Sequence, residues 1–102
     1  MMLFMDRQTA LDRLKASEAE LRAMGVLRLS LFGSVARGDA TAESDVDLAA
    51  ELDHARKLDL FDFAVINERL SDMLGLKVDL VSEPARRARF QAAIDRDRVH
   101  VF

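Results

Sequence analysis

The sequence predicts a small α/β (α+β) domain: a mixed sheet of about four strands flanked by helices. Three observations lead there. Helical and extended periodicities alternate along the chain in the order α-β-(short α)-β-α-β-α-β. Glycines stand at the changes of period, at Gly25, Gly33 and Gly75. The chain has 102 residues, half of them hydrophobic, which suits one domain over 1–102 with a real core and little room for a second lobe.

Residues 7–24 read as the first helix. Ala10, Leu14, Leu21 and Met24 recur on one side, with Lys15, Glu18, Glu20 and Arg22 among the polar positions. Gly25 suits a C-cap. Residues 26–32 alternate Leu27, Leu29 and Leu31 with Arg28 and Ser30, a strand pattern. Gly33-Ser34 interrupts it, and Ser34 can cap a short helix through Arg37. Residues 38–44 are rich in turn formers, and 46–52 read as a second strand. Residues 57–74 form the longest predicted helix, ended by Gly75. A third strand covers 76–81. Pro84 suits the first turn of a last helix running to about Arg96, and 99–102 suit a short final strand.

The bulk properties exclude several classes. A net charge of -3 argues against binding nucleic acid through a basic surface. With no cysteine there is neither a disulfide framework nor a thiolate metal site. Two histidines, His54 and His100, are too few for a typical zinc site. No apolar run approaches spanning length, and the first residues lack the basic and apolar regions of a leader. A cytoplasmic protein is the expectation.

Chemistry concentrates between residues 31 and 48. Gly33-Ser34 is followed, after ten residues, by Asp45-Val46-Asp47. At the start of a strand, period two puts Asp45 and Asp47 on one face. Paired carboxylates repel, and a divalent cation removes the repulsion. Their hard oxygens favour Mg²⁺ or Mn²⁺. Asp79, within Val78-Asp79-Leu80-Val81, could complete such a site from a neighbouring strand. Its apolar neighbours suggest a buried acid, costly without a partner. Gly33 allows close backbone approach to a ligand. Ser34 adds a hydroxyl at a helix start, where free N–H groups favour phosphate. Arg37 has two placements open to it, beside a triphosphate or paired with a loop acid. Together these parts suit phosphoryl or nucleotidyl transfer.

Gly33-Ser34-Val35-Ala36-Arg37-Gly38, followed by Ser44-Asp45-Val46-Asp47-Leu48, resembles the motif of the DNA polymerase β-like nucleotidyltransferases. More narrowly it resembles the minimal nucleotidyltransferase (MNT) family, over nearly the whole chain. The resemblance implies that Asp45 and Asp47 hold two Mg²⁺ ions. Asp79 would help bind the ion that activates the attacking hydroxyl, and Gly33 and Ser34 would hold the β and γ phosphates. The hydroxyl would attack the α-phosphate of ATP, leaving an AMP ester and pyrophosphate. It also implies an antitoxin whose partner is a helical HEPN-domain toxin, silenced by AMP on a tyrosine. Neutralisation by binding alone is the competing expectation, and transfer to a small molecule or an RNA end is a third.

Other residues are expected to be structural. His54 and His100 read as surface or structural histidines, and Asp39 and Glu43 as ordinary loop acids. Arg86, Arg89 and Arg96 read as a solvated face beside Asp95 and Asp97. The helix at 57–74 carries two apolar stripes. Phe63, Ile66, Leu70, Met73 and Leu74 form one, and Leu58, Phe61 and Val65 the other. The second could face a partner, but packing under the first helix is the favoured expectation.

Overall fold

A computed structural model describes residues 5–102. The reading of the first residues as no leader therefore falls largely outside the described residues. Helices α1 (Arg7–Ala16) and α2 (Glu18–Ala23) lead into strand β1 (Val26–Phe32). Helix α3 (Gly33–Arg37) follows, then β2 (Val46–Leu52), a single 3-10 turn (His54–Arg56) and α4 (Leu60–Leu74). β3 (Val78–Ser82), α5 (Ala88–Asp97) and β4 (Val99–His100) complete the chain. The four-stranded sheet has the order β3-β2-β1-β4. β1 runs antiparallel to β2 and β4, whereas β2 and β3 are parallel. The sheet is mixed, as predicted, and α4 makes the long crossover that a parallel pair requires.

Strand alternation divides the side chains between two layers. Leu29, Leu31, Val46, Leu48, Val78 and Leu80 join the main core, with Leu14, Leu21, Ile66, Leu70 and Leu74 from the helices. The opposite face carries a smaller cluster, in which Phe32 and Ala49 meet Ile94 of α5. The second layer carries two of the candidate acids, because Asp47 and Asp79 belong to the same alternation as Ala49 and Val81.

Several boundaries differ from the sequence reading. The first helix breaks at Ser17, whose φ of -103° and ψ of 11° leave the helical region. Its N–H closes a tight turn to the Leu14 carbonyl at 3.1 Å, and serine is a modest helix former. α4 starts at Leu60 because Asp59 and Asp62 form a reciprocal capping box. Pro84 lies outside α5, after a cis Glu83–Pro84 bond, and α5 begins only at Ala88. The last strand is two residues long, although backbone bonds between Leu29 and residues 101–102 continue the pairing irregularly.

The two stripes of α4 part company. Ile66, Leu70 and Leu74 are buried, with Phe63 and Met73 packed against the same core. Phe61 and Val65 do not pack under the first helix: they are 83% and 52% exposed, and Leu60 is 81% exposed. Only Leu58 of that stripe is partly buried, against Gly25. α1 and the sheet meet α4 through the shared core, and among the described residues nothing covers Leu60 and Phe61.

Leu70→Ala should therefore destabilise the protein by about 2–5 kcal/mol in urea unfolding, as expected for a fully buried leucine. Phe61→Ala should change stability by no more than about 0.5 kcal/mol. A large loss at Phe61 would mean that the outer side of α4 is covered in solution.

Candidate active site

Backbone register brings the site together. Phe32 and Asp47 are paired across β1 and β2, and Asp47 and Asp79 across β2 and β3. Gly33 directly follows Phe32, so Gly33, Asp47 and Asp79 converge at one end of the sheet. They line a cavity of ≈ 620 Å³ together with Ser34, Arg37 and Asn67. Phe90, Arg96 and Asp97 of α5 close its other side.

Gly33 is required here for a specific reason. Its φ of 76° disfavours any other residue. A Cβ there would also stand 2.1 Å from Oδ2 of Asp47. The glycine thus makes room for the carboxylate, besides opening the cradle to a ligand. α3 begins without a side-chain cap, leaving its first N–H groups facing the same end of the sheet.

The electrostatics single out Asp47. Its pKa is raised to about 6, first by burial, then by the charges of Asp79 and Asp45. The Arg37 charge opposes this. Asp79 itself is exposed: Val78 and Leu80 point into the main core, while Asp79 alternates to the opposite face. The acid that sits partly buried is Asp47, not Asp79 as its neighbours suggested.

Asp45 stands just before β2 and is not part of the cavity wall. Its carboxylate lies 3.7 Å from Lys77 Nζ, where Lys77 is largely exposed and the Asp45 side chain partly so. Such pairs contribute at most about 1 kcal/mol, so little holds Asp45 away from a shared ligand. Among the described residues, no three acids or histidines are already gathered tightly enough to hold an ion. The donor set nevertheless fits a hard divalent cation. Asp47 and Asp79 are adjacent, Asp45 lies on the same side, and the charges of Asp79 and Asp45 add to the raised proton affinity of Asp47.

Arg37 takes the loop-acid placement and adds a second partner. Its guanidinium meets Asp39 at 3.2 Å and Asp97 of α5 at 2.8 Å. Arg96 also binds Asp97, at 3.0 Å. The Asp97 carboxyl is held below the usual carboxylate range, first by its Arg96 hydrogen bond and, after the opposing effect of burial, by Arg37. Arg96 is 68% exposed, in keeping with the expected solvated face, and also lines the mouth of the cavity. Asn67 was also not foreseen. Its amide oxygen is buried without a hydrogen-bond partner, in the cavity wall. Nothing in the sequence marks it among the polar positions of α4. His54 and His100 are exposed and lie outside the cavity.

Residues 12–100 match the family described as the nucleotidyltransferase domain. The chain belongs to this family. Among its relatives, it is 35% identical to the protein adenylyltransferase MntA of Thermococcus cleftensis over 89 residues, 86% of this chain and 88% of that one. A solved minimal nucleotidyltransferase superposes with a TM-score of 0.77 at 34% identity, covering 93% of this chain and 95% of the other. The same fold occurs in a tri-AMPylated Shewanella oneidensis HEPN toxin in complex with MNT antitoxin, at a TM-score of 0.65 and 19% identity over 94% of this chain and 71% of that one.

Two outcomes test the site. Gly33→Ala should displace the Asp47 carboxylate and lower nucleotidyl transfer by at least about a hundredfold, while the chain still folds. The second concerns pH. Asp47 has a folded pKa near 6 against 3.8 for the ordinary group, so the unfolded chain releases its proton first as pH rises. The contribution of Asp47 to folding stability in metal-free buffer, read as the difference between wild type and Asp47→Asn, should therefore fall between about pH 4 and pH 6, and stay low above that. Asp47→Asn should abolish this slope and be the more stable protein at pH 7. Urea titrations at a series of pH values measure it.

Proposed function

We propose that this nucleotidyltransferase transfers AMP from ATP to a hydroxyl, a tyrosine, of a HEPN-domain partner, and so acts as a cytoplasmic antitoxin. The observation that carries the reading is the convergence of Gly33, Asp47 and Asp79 on one cavity, with Asp45 alongside. The MntA relative is named a protein adenylyltransferase, and one solved neighbour is a toxin-antitoxin with AMP-PNP. Both support the same direction.

The chain's own groups divide the work. The N–H groups at the start of α3, with Ser34, orient the outer phosphates. Asp45, Asp47 and Asp79 would hold Mg²⁺, which when bound neutralises charge on the attacking and leaving oxygens. The exposed Asp79 lies where an acceptor hydroxyl can enter. The hydroxyl oxygen bonds to the α-phosphorus, the bond from that phosphorus to the bridging oxygen breaks, and pyrophosphate leaves. The hydroxyl proton is released to solvent. The uncovered Leu60, Phe61 and Val65 favour a second reading, neutralisation by binding alone.

Intact-protein mass spectrometry of the co-purified partner separates these readings. Whole AMP additions should appear with Mg²⁺ and ATP. Asp45→Asn with Asp47→Asn should slow them at least about a thousandfold, given the several kcal/mol that cation-assisted charge stabilisation provides. A partner that stays unmodified yet silenced would leave binding as the whole function.

A further inference from the structure

The cavity at the acids continues past Phe90. A second cavity of ≈ 320 Å³ shares Leu80, Val81 and Phe90 with it. Its other walls come from Ser82 and Ala85, with Arg86 and Arg87. The two differ in chemistry: the first is walled by acids, arginines and Gly-Ser backbone, the second mainly by apolar groups.

Phe90 stands at their junction and is 45% exposed, although Ile94 one turn later on the same helix is fully buried. The Arg89 guanidinium lies 6.0 Å from the centre of its ring. The acids of α5 are engaged elsewhere, Asp95 with Arg98 and Asp97 with Arg37 and Arg96. Among the described residues none pairs with Arg86, Arg87 or Arg89. An aromatic face with unpaired guanidinium groups around it is suited to a flat, electron-rich ring beside phosphate.

β3 sets the spacing. Val81 follows Asp79 by two residues on the same face, about 7 Å along the strand. The order across the joined cavities is thus Gly33 and Ser34, then Asp47 and Asp79, then Val81, Ala85 and Phe90. A nucleoside triphosphate has the same order: outer phosphates, α-phosphorus, nucleoside. Transfer at the α-phosphorus places that atom at the acids. With the outer phosphates at Gly33-Ser34, the nucleoside points along β3.

We infer that the second cavity receives the base of the nucleotide, stacked on Phe90. This rests on the nucleotidyl-transfer reading above and adds to it the site that grips the nucleoside. Ring stacking explains why so large an apolar side chain is left open at the mouth of a charged cavity.

Calorimetric titration with ATP and with inorganic tripolyphosphate, both with Mg²⁺, tests the inference without turnover. Wild type should bind ATP more tightly than tripolyphosphate. Phe90→Ala should weaken ATP by about tenfold, the loss expected for one base stacked on an aromatic ring, and leave tripolyphosphate unchanged. Phe90→Trp should restore ATP binding. Phe90 is half-exposed, so thermal melts should show both variants folded. An unchanged ATP-to-tripolyphosphate ratio in Phe90→Ala overturns the base site alone. If that variant also loses AMP transfer to the partner, Phe90 serves the acceptor instead, and the base site is equally overturned. Failure of wild type to bind either ligand removes the nucleotide reading and this inference together.

Discussion

The contact between the Asp47 carboxylate and the bare Cα of Gly33 is the constraint on which the rest of the site depends. Asp47 is central in every sense: β2 is an inner strand, with Phe32 beside Asp47 on one side and Asp79 on the other. A charged group in that place lies between two packed strands. It is accommodated only because the chain leaving β1 has no side chain where the carboxylate rests. The raised proton affinity of Asp47 is the energetic trace of the same crowding.

The two faces of the sheet carry different duties. The main core, under α1, α2 and α4, supplies most of the apolar burial. The other face is only partly covered by α5, and the uncovered part is the cavity. Arg37 of α3 grips Asp97 of α5, which Arg96 of the same helix also holds, so an ion pair ties α3 to α5 in addition to their direct contact. A site bounded by rigid strands and one tethered helix holds its acids in place while leaving an open approach to solvent.

Much of this was legible in the sequence because it follows short periods. Alternation located β1 and β2, and the Gly-Ser and Asp-x-Asp spacing located the acids. The convergence of Asp47 and Asp79 depends on a parallel register that no local pattern encodes. Asp79 was misjudged because apolar neighbours in a strand say little about the residue between them: Val78 and Leu80 face away from it. The Asp59–Asp62 capping box was visible as Asp-x-x-Asp, and would have placed the start of α4 correctly. The stripe at Phe61 and Val65 could not be settled from one chain, because periodicity shows that a side is apolar and not whether anything covers it. Asn67 and Phe90 acquire meaning only from what stands opposite them.

The position of β3 has a further consequence. It is an edge strand, and an edge with free backbone groups invites pairing with another chain. Here Ser71 Oγ accepts the outward N–H of Val78, at 3.2 Å. The next residue, Asp79, places a negative charge on the same rim. The carboxylate that walls the candidate site thus also repels an incoming strand, and the proposed chemistry and resistance to aggregation draw on one side chain.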